Sequence, residues 1–164
     1  MTQNLWVPPN KVEVVGKDTI VVRDILVNRS RMQEEAIGVL RRKQYVDKKA
    51  LKGMPREGND KIDVYFFRYR CAWAHRRITD NELAMMYRQR GLRPDPYAQA
   101  AVHEVIEEFS DKFPNALQYK NDREEWCCAM YCTDDRRPFV RIGRSCGEWG
   151  NGYYWFSGVL EVGM

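Results

Sequence analysis

Cysteine and histidine are the residues best equipped for chemistry in this chain. Cys127, Cys128, Cys132 and Cys146 fall close together, with Cys71, His75 and His103 upstream. A zinc site asks for two C-x₂₋₄-C knuckles, or one knuckle and a histidine pair. Cys128 and Cys132 have knuckle spacing, and they sit in "EWCCAMYC", which reads as a strand. Four residues of extended chain separate two side chains by about 13 Å, at roughly 3.3 Å per residue. That is too far to share an ion, so these cysteines are expected to be buried thiols without a metal. Cys71 and His75 are also four apart on a candidate strand and do not touch. Cys146, after Arg144, is the better placed reactive thiol. "HEVIE" pairs His103 with Glu107 but lacks the second histidine of a zinc-protease helix. No G-x-S-x-G elbow occurs, and "GEWGNG" lacks the lysine-serine end of a phosphate loop. The sequence therefore predicts no metal, no cofactor and no catalytic residues. An enzyme with an unrecognised site is the residual alternative.

Aromatic and basic residues remain. In "DVYFFRYRCAWAHRR", residues 63–77, the odd positions carry Tyr65, Phe67, Tyr69, Cys71, Trp73 and His75. The even positions carry Val64, Phe66, Arg68, Arg70, Ala72 and Ala74. A period of two puts rings and arginines on opposite faces of a strand. The aromatic face is expected to lie beneath helices. Rings that stack bases and cations that follow phosphate would suit single-stranded nucleic acid. The residues for that alternative are Arg68, Arg70, Arg76, Arg77, Arg88, Arg90 and Arg93. A second concentration, Trp149, Tyr153, Tyr154 and Trp155 near Arg141 and Arg144, has the residue types of a protein interface. A tryptophan-rich sheet core would use the same rings.

The elements follow from pattern. "KVEVVGKDTIVVRDILV" predicts a hairpin turning at Gly16-Lys17-Asp18, after an extended lead-in over residues 1–10. "SRMQEEAIGVLRRKQ" predicts a helix with capping-box spacing at Ser30 and Gln33 and a stripe of Met32, Ala36, Val39, Leu40 and Lys43. Residues 45–60 read as a mobile loop. Thr79 and Glu82 form a second capping-box pair, with Gly91 as the stop. Asp95 and Pro96 open a helix expected to run over residues 96–113. Its inner stripe is Ala98, Val102, Val105, Ile106, Phe109 and Phe113. "EWCCAMYC", "PFVRIGR" and "YYWFSGVLEV" predict strands, and Gly158 in the last marks a bulge or a close backbone approach. The expected fold is α+β: one domain over residues 1–164, a mostly antiparallel sheet with about three helices packed on one face.

With 164 residues, 44% hydrophobic and 30% charged, the chain can fold without staples. Its formal charge of +4 permits an anionic partner without demanding one. No apolar run reaches a membrane span and no secretory signal is visible, so the expected setting is cytoplasmic, with reduced thiols.

"RGLRPDPYAQAAV", with "FPNALQY", "EEWCCAMY" and "YYWFSGV", resembles small proteins of tailed bacteriophages and prophages over residues 79–162. The resemblance implies a mobile-element origin and a bacterial host cytoplasm, and brings no activity or site residues. The combined expectation is a binding protein: a phage accessory factor that engages a host protein or complex, for example a defence system. Nucleic-acid binding is the alternative.

Overall fold

The computed structural model describes residues 11–69, 77–150 and 153–161. In chain order the elements are β1 (Val12–Gly16), β2 (Thr19–Leu26), α1 (Gln33–Gly38), β3 (Lys43–Val46), α2 (Lys48–Lys52), β4 (Lys61–Arg68), β5 (Ile78–Thr79) and α3 (Asp80–Gln89). Then come β6 (Leu92–Arg93), α4 (Pro96–Val105), α5 (Phe109–Lys112), β7 (Asn115–Lys120), β8 (Trp126–Asp134), β9 (Arg137–Arg144), β10 (Glu148–Trp149) and β11 (Trp155–Leu160). The main sheet runs β1-β2-β4-β11-β7-β8-β9-β3, with β6 also paired to β11. Its pairings are antiparallel except β11 with β7 and β3 with β9.

The sheet is mostly antiparallel, as expected, but helices cover both of its faces. On one face, Ile20, Val22, Val64, Phe66, Trp155, Val159, Leu117, Ala129, Tyr131, Val140 and Ile142 pack with residues of α1, α2, α4 and α5. On the other, Phe67, Phe156, Ala116 and Cys128 pack with Leu83 and Tyr87 of α3. β4 shows why the expectation of one covered face fails. Its odd-position Phe67 is 1% exposed, yet Val64 and Phe66 on the even face are equally buried, at 0%. Tyr65 and Tyr69 are half-buried against the α3 side. Trp73 lies outside the described residues.

α3 follows its punctuation. Thr79 accepts from the Glu82 amide while the Glu82 carboxylate accepts from the Thr79 amide, and Gly91 takes a left-handed φ of 65° just past the end. Tyr87 then donates its hydroxyl to the Ser157 carbonyl at 2.7 Å. A Cβ at Gly158 would stand 3.0 Å from the Tyr87 ring and 3.1 Å from the Arg93 carbonyl oxygen, which is the close approach that this glycine permits.

The helix expected over residues 96–113 is two. The chain leaves the helix at Ile106 (φ −122°, ψ 85°), and α5 begins at Phe109. The break points Phe109 into the core and leaves Val105 exposed. From Pro96 to His103 every residue of α4 is buried. α4 is thus a central helix rather than an amphipathic cover.

Most of its polar groups are answered inside, although the Gln99 side-chain oxygen is buried without a partner. His103 donates through Nδ1 to the Gln99 carbonyl at 2.8 Å and accepts through Nε2 from Asn115 at 2.9 Å. Gln99 donates to Asn115 Oδ1 at 3.0 Å. Burial, with the nearby Arg42 guanidinium, lowers the His103 pKa from 6.5 to about 3.

Two other expectations are corrected. α1 covers only Gln33–Gly38, because Met32 is its N-cap and Ser30 spends its hydroxyl on Asn28. Residues 45–60, expected as a loop, hold the end of β3 and all of α2. Asp47 caps α2, accepting from the amides of Lys49 and Ala50 at 2.9 and 3.0 Å. Ala50, Leu51 and Met54 form a short apolar stripe, diluted in the sequence by lysines, that joins the main core. Past α2, Arg29 reaches the carbonyls of Arg56, Glu57 and Asn59. The same guanidinium makes a two-pronged pair with Asp95, at 3.0 and 2.7 Å. Asp95 also caps α4, accepting from the Ala98 amide at 3.1 Å.

Asp95→Ala should therefore cost about 3–5 kcal/mol, since it strands a buried guanidinium, as read from urea unfolding midpoints. His103 yields a second expectation. Its folded pKa lies below its unfolded one, so the stability from keeping it neutral is complete above about pH 6.5 and is lost as pH falls toward about 3. Between pH 7 and pH 5 unfolding should lose ~2 kcal/mol. His103→Gln, weaker at pH 7, should show a smaller difference between the two pH values.

Candidate binding surface

The α3 side of the sheet is covered only in part. Across β8, β9 and β3 the register decides which side chains share it. Arg141 lies opposite Met130, and Phe139 opposite Cys132. On the other flank of β9, Tyr45 lies opposite Arg141 and Lys43 opposite Phe139. Val140 and Ile142 point into the main core, so Lys43, Tyr45, Phe139 and Arg141 point away from it. Arg137, two positions before Phe139, joins them. These residues line one hollow with Asp134 and Asp135, of about 550 Å³.

Local chemistry holds the hollow in shape. The β8–β9 connection is a two-residue turn with Asp135 at φ 46° and Arg136 at φ 65°, the primed geometry that suits the twist of a hairpin. The Tyr45 and Phe139 rings meet edge-on at 5.7 Å. The Lys43 ammonium and the Arg141 guanidinium lie 5.3 and 5.4 Å from the Tyr45 ring centroid. Tyr45 is still 44% exposed. The Cys132 thiol lies 3.7 Å from the Tyr154 hydroxyl, and Tyr153 packs edge-on against Tyr154 at 4.6 Å. An aromatic strip from Tyr153 to Tyr45 thus carries cations along the same face.

Of the interface candidates, Arg141, Tyr153 and Tyr154 belong to this surface. Arg144 is exposed elsewhere and pairs with Glu125 at 2.7 Å. Trp149 and Trp155 are corrected to core residues. The Trp149 indole donates to Asp80 at 3.0 Å, beneath α3, and its ring packs on Phe156. Trp155 packs edge-on against Phe113 in the main core.

The described arginines among those named for nucleic acid do not gather into one patch. Arg68 lies over Trp155 at 4.5 Å and pairs with Asp18 at 3.3 Å. Arg90 lies over Phe67 at 4.3 Å. Arg77 is exposed, 3.9 Å from Glu148. Arg88 and Arg93 line a separate cavity beside α3. Arg70 and Arg76 lie outside the described residues.

Lys43, Tyr45, Arg137 and Phe139 were not foreseen. The alternation of Arg137, Phe139 and Arg141 in "RPFVRIG" carried the signal for one half. The other half was hidden because "KQYV" follows a helical pattern.

Cys127, Cys128 and Cys132 are buried and unlinked, Cys146 is exposed, and Cys71 lies outside the described residues. Burial raises the Cys132 thiol and pushes Cys128 up to about 11. Among the described residues, no cluster of three or more His, Cys, Asp or Glu side chains could hold a metal ion. No described helix is long and apolar enough to cross a membrane.

Compared with known protein families, with curated proteins and with solved structures, the chain matches none.

The two classes of aromatic residue separate experimentally. Trp149→Ala should cost about 3–5 kcal/mol of stability, as a large core ring does. Tyr153→Ala should stay within about 0.5 kcal/mol. Thermal unfolding of both variants checks the assignment.

Proposed function

We propose that this is a binding protein that works through the open end of its sheet, and that its partner there is a single-stranded nucleic acid. One observation carries this: Tyr45, Phe139, Lys43 and Arg141 share a face that no described helix covers. Base stacking needs exposed rings, phosphate needs cations within reach of them, and both must lie on one surface. β4 fails that condition by its alternation, whereas β3 and β9 meet it. The parallel register places a ring beside a cation on each strand in turn. The formal charge of +4 favours the encounter.

A second reading rests on a different observation. β3 is the last strand of its sheet, and its outer edge pairs with no described strand. A protein partner could add a strand there, as a phage accessory factor acting on a host complex would require.

Fluorescence anisotropy with a labelled single strand of about 12 nucleotides distinguishes the two. Affinity should fall steeply as salt rises. Tyr45→Ala and Arg141→Ala should each weaken binding by roughly tenfold while leaving thermal unfolding nearly unchanged. Absence of binding at low salt would count against nucleic acid and for the protein partner.

A further inference from the structure

A separate cavity of about 290 Å³ opens beside α3, and shares no lining residue with the open sheet face. Its walls are Ala84 and Tyr87 of α3, Leu92, Pro94 and the half-buried Trp126. Flat apolar walls around a space this small suit one planar ring system rather than a peptide or a chain of sugars.

The charges around it are unbalanced. Arg88, Arg93 and Lys120 line the cavity against a single carboxylate, Glu161. The cations are only loosely engaged. Lys120 lies 3.6 Å from Glu124, itself largely in solvent, and 4.9 Å from the Trp126 ring. Arg93 lies 3.7 Å from Asp95, whose carboxylate already holds Arg29 at 2.7 Å. An anionic group at the mouth would meet cations with capacity to spare.

We propose that this cavity binds a nucleotide. The heteroaromatic base would enter between Trp126 and the α3 wall. The phosphate would sit at Arg88, Arg93 and Lys120. The same chemistry is presented by a free mononucleotide and by the terminal nucleotide of a strand. The proposal does not depend on the open-face reading.

Calorimetric titration of the full chain with AMP, CMP, GMP and UMP, with inorganic phosphate, and with adenosine tests it. Nucleotides should bind, adenosine and phosphate alone each at least tenfold more weakly. A 5′-phosphorylated tetranucleotide at the same affinity as the mononucleotide would identify a strand end as the ligand. A much weaker tetranucleotide would identify the free nucleotide. Arg88→Ala and Lys120→Ala, both on the surface, should each weaken binding about fivefold or more. Trp126→Ala should weaken it by tenfold or more. Tyr45→Ala should leave nucleotide binding unchanged even if it abolishes oligonucleotide binding on the open face. No binding of any nucleotide at millimolar concentration would overturn the proposal. So would phosphate matching the nucleotides, or an Arg88→Ala/Lys120→Ala pair that binds like the parent.

Discussion

Inside the molecule a guanidinium and a carboxylate hold each other almost out of reach of water, and much of the packing hangs on the pair. The side chains of Arg29 and Asp95 are only 9% and 1% exposed. Such a pair contributes little as net attraction, because each ion loses its hydration. Its importance lies in what each partner also does. Asp95 accepts from the Ala98 amide at the start of α4, whose residues from Pro96 to His103 are all buried. Arg29 gathers the carbonyls of the segment after α2, and Arg56 in turn donates to the Arg29 carbonyl. One contact thereby ties the start of the central helix to a stretch of chain without regular structure.

The other end of α4 is fixed by neutral groups. His103 stacks on Tyr131 at 4.0 Å and passes its hydrogen bonds to Gln99 and Asn115. An apolar helix could slide or turn against a sheet at little cost. This network favours one depth and one rotation, since others would break its hydrogen bonds between buried groups. The half of the sheet beneath α4 is backed on that side, while on the far face Lys43 and Tyr45 of β3 and Phe139 and Arg141 of β9 have no described helix over them.

Local signals were legible in the sequence where a residue type has one conformational use. The caps at Thr79 and Asp95, the stop at Gly91 and the close approach at Gly158 all read through. So did the alternation of β4. Signals that depend on three-dimensional neighbours did not. Whether Trp149 meets solvent or Asp80 depends on a residue 69 positions away. The break at Ile106 interrupts an unbroken apolar stripe, because Phe109 must turn toward Phe66. β3 is too short to assert a period, and its pairing partner lies almost a hundred residues downstream. Half of the open face was named in advance through Arg141, Tyr153 and Tyr154. The other half needed the register of a parallel pair.

The placement of β11 has a kinetic consequence. It is the last described strand in sequence, yet it stands between β4 and β7, joining the β1-β2-β4 half of the sheet to the β7-β8-β9-β3 half. During synthesis both halves must wait, each with an unpaired edge, until this strand leaves the ribosome. Sheets closed by such distant pairings fold slowly. Over that interval the free edges of β4 and β7, rich in apolar side chains, are the places where two nascent copies would pair with each other instead.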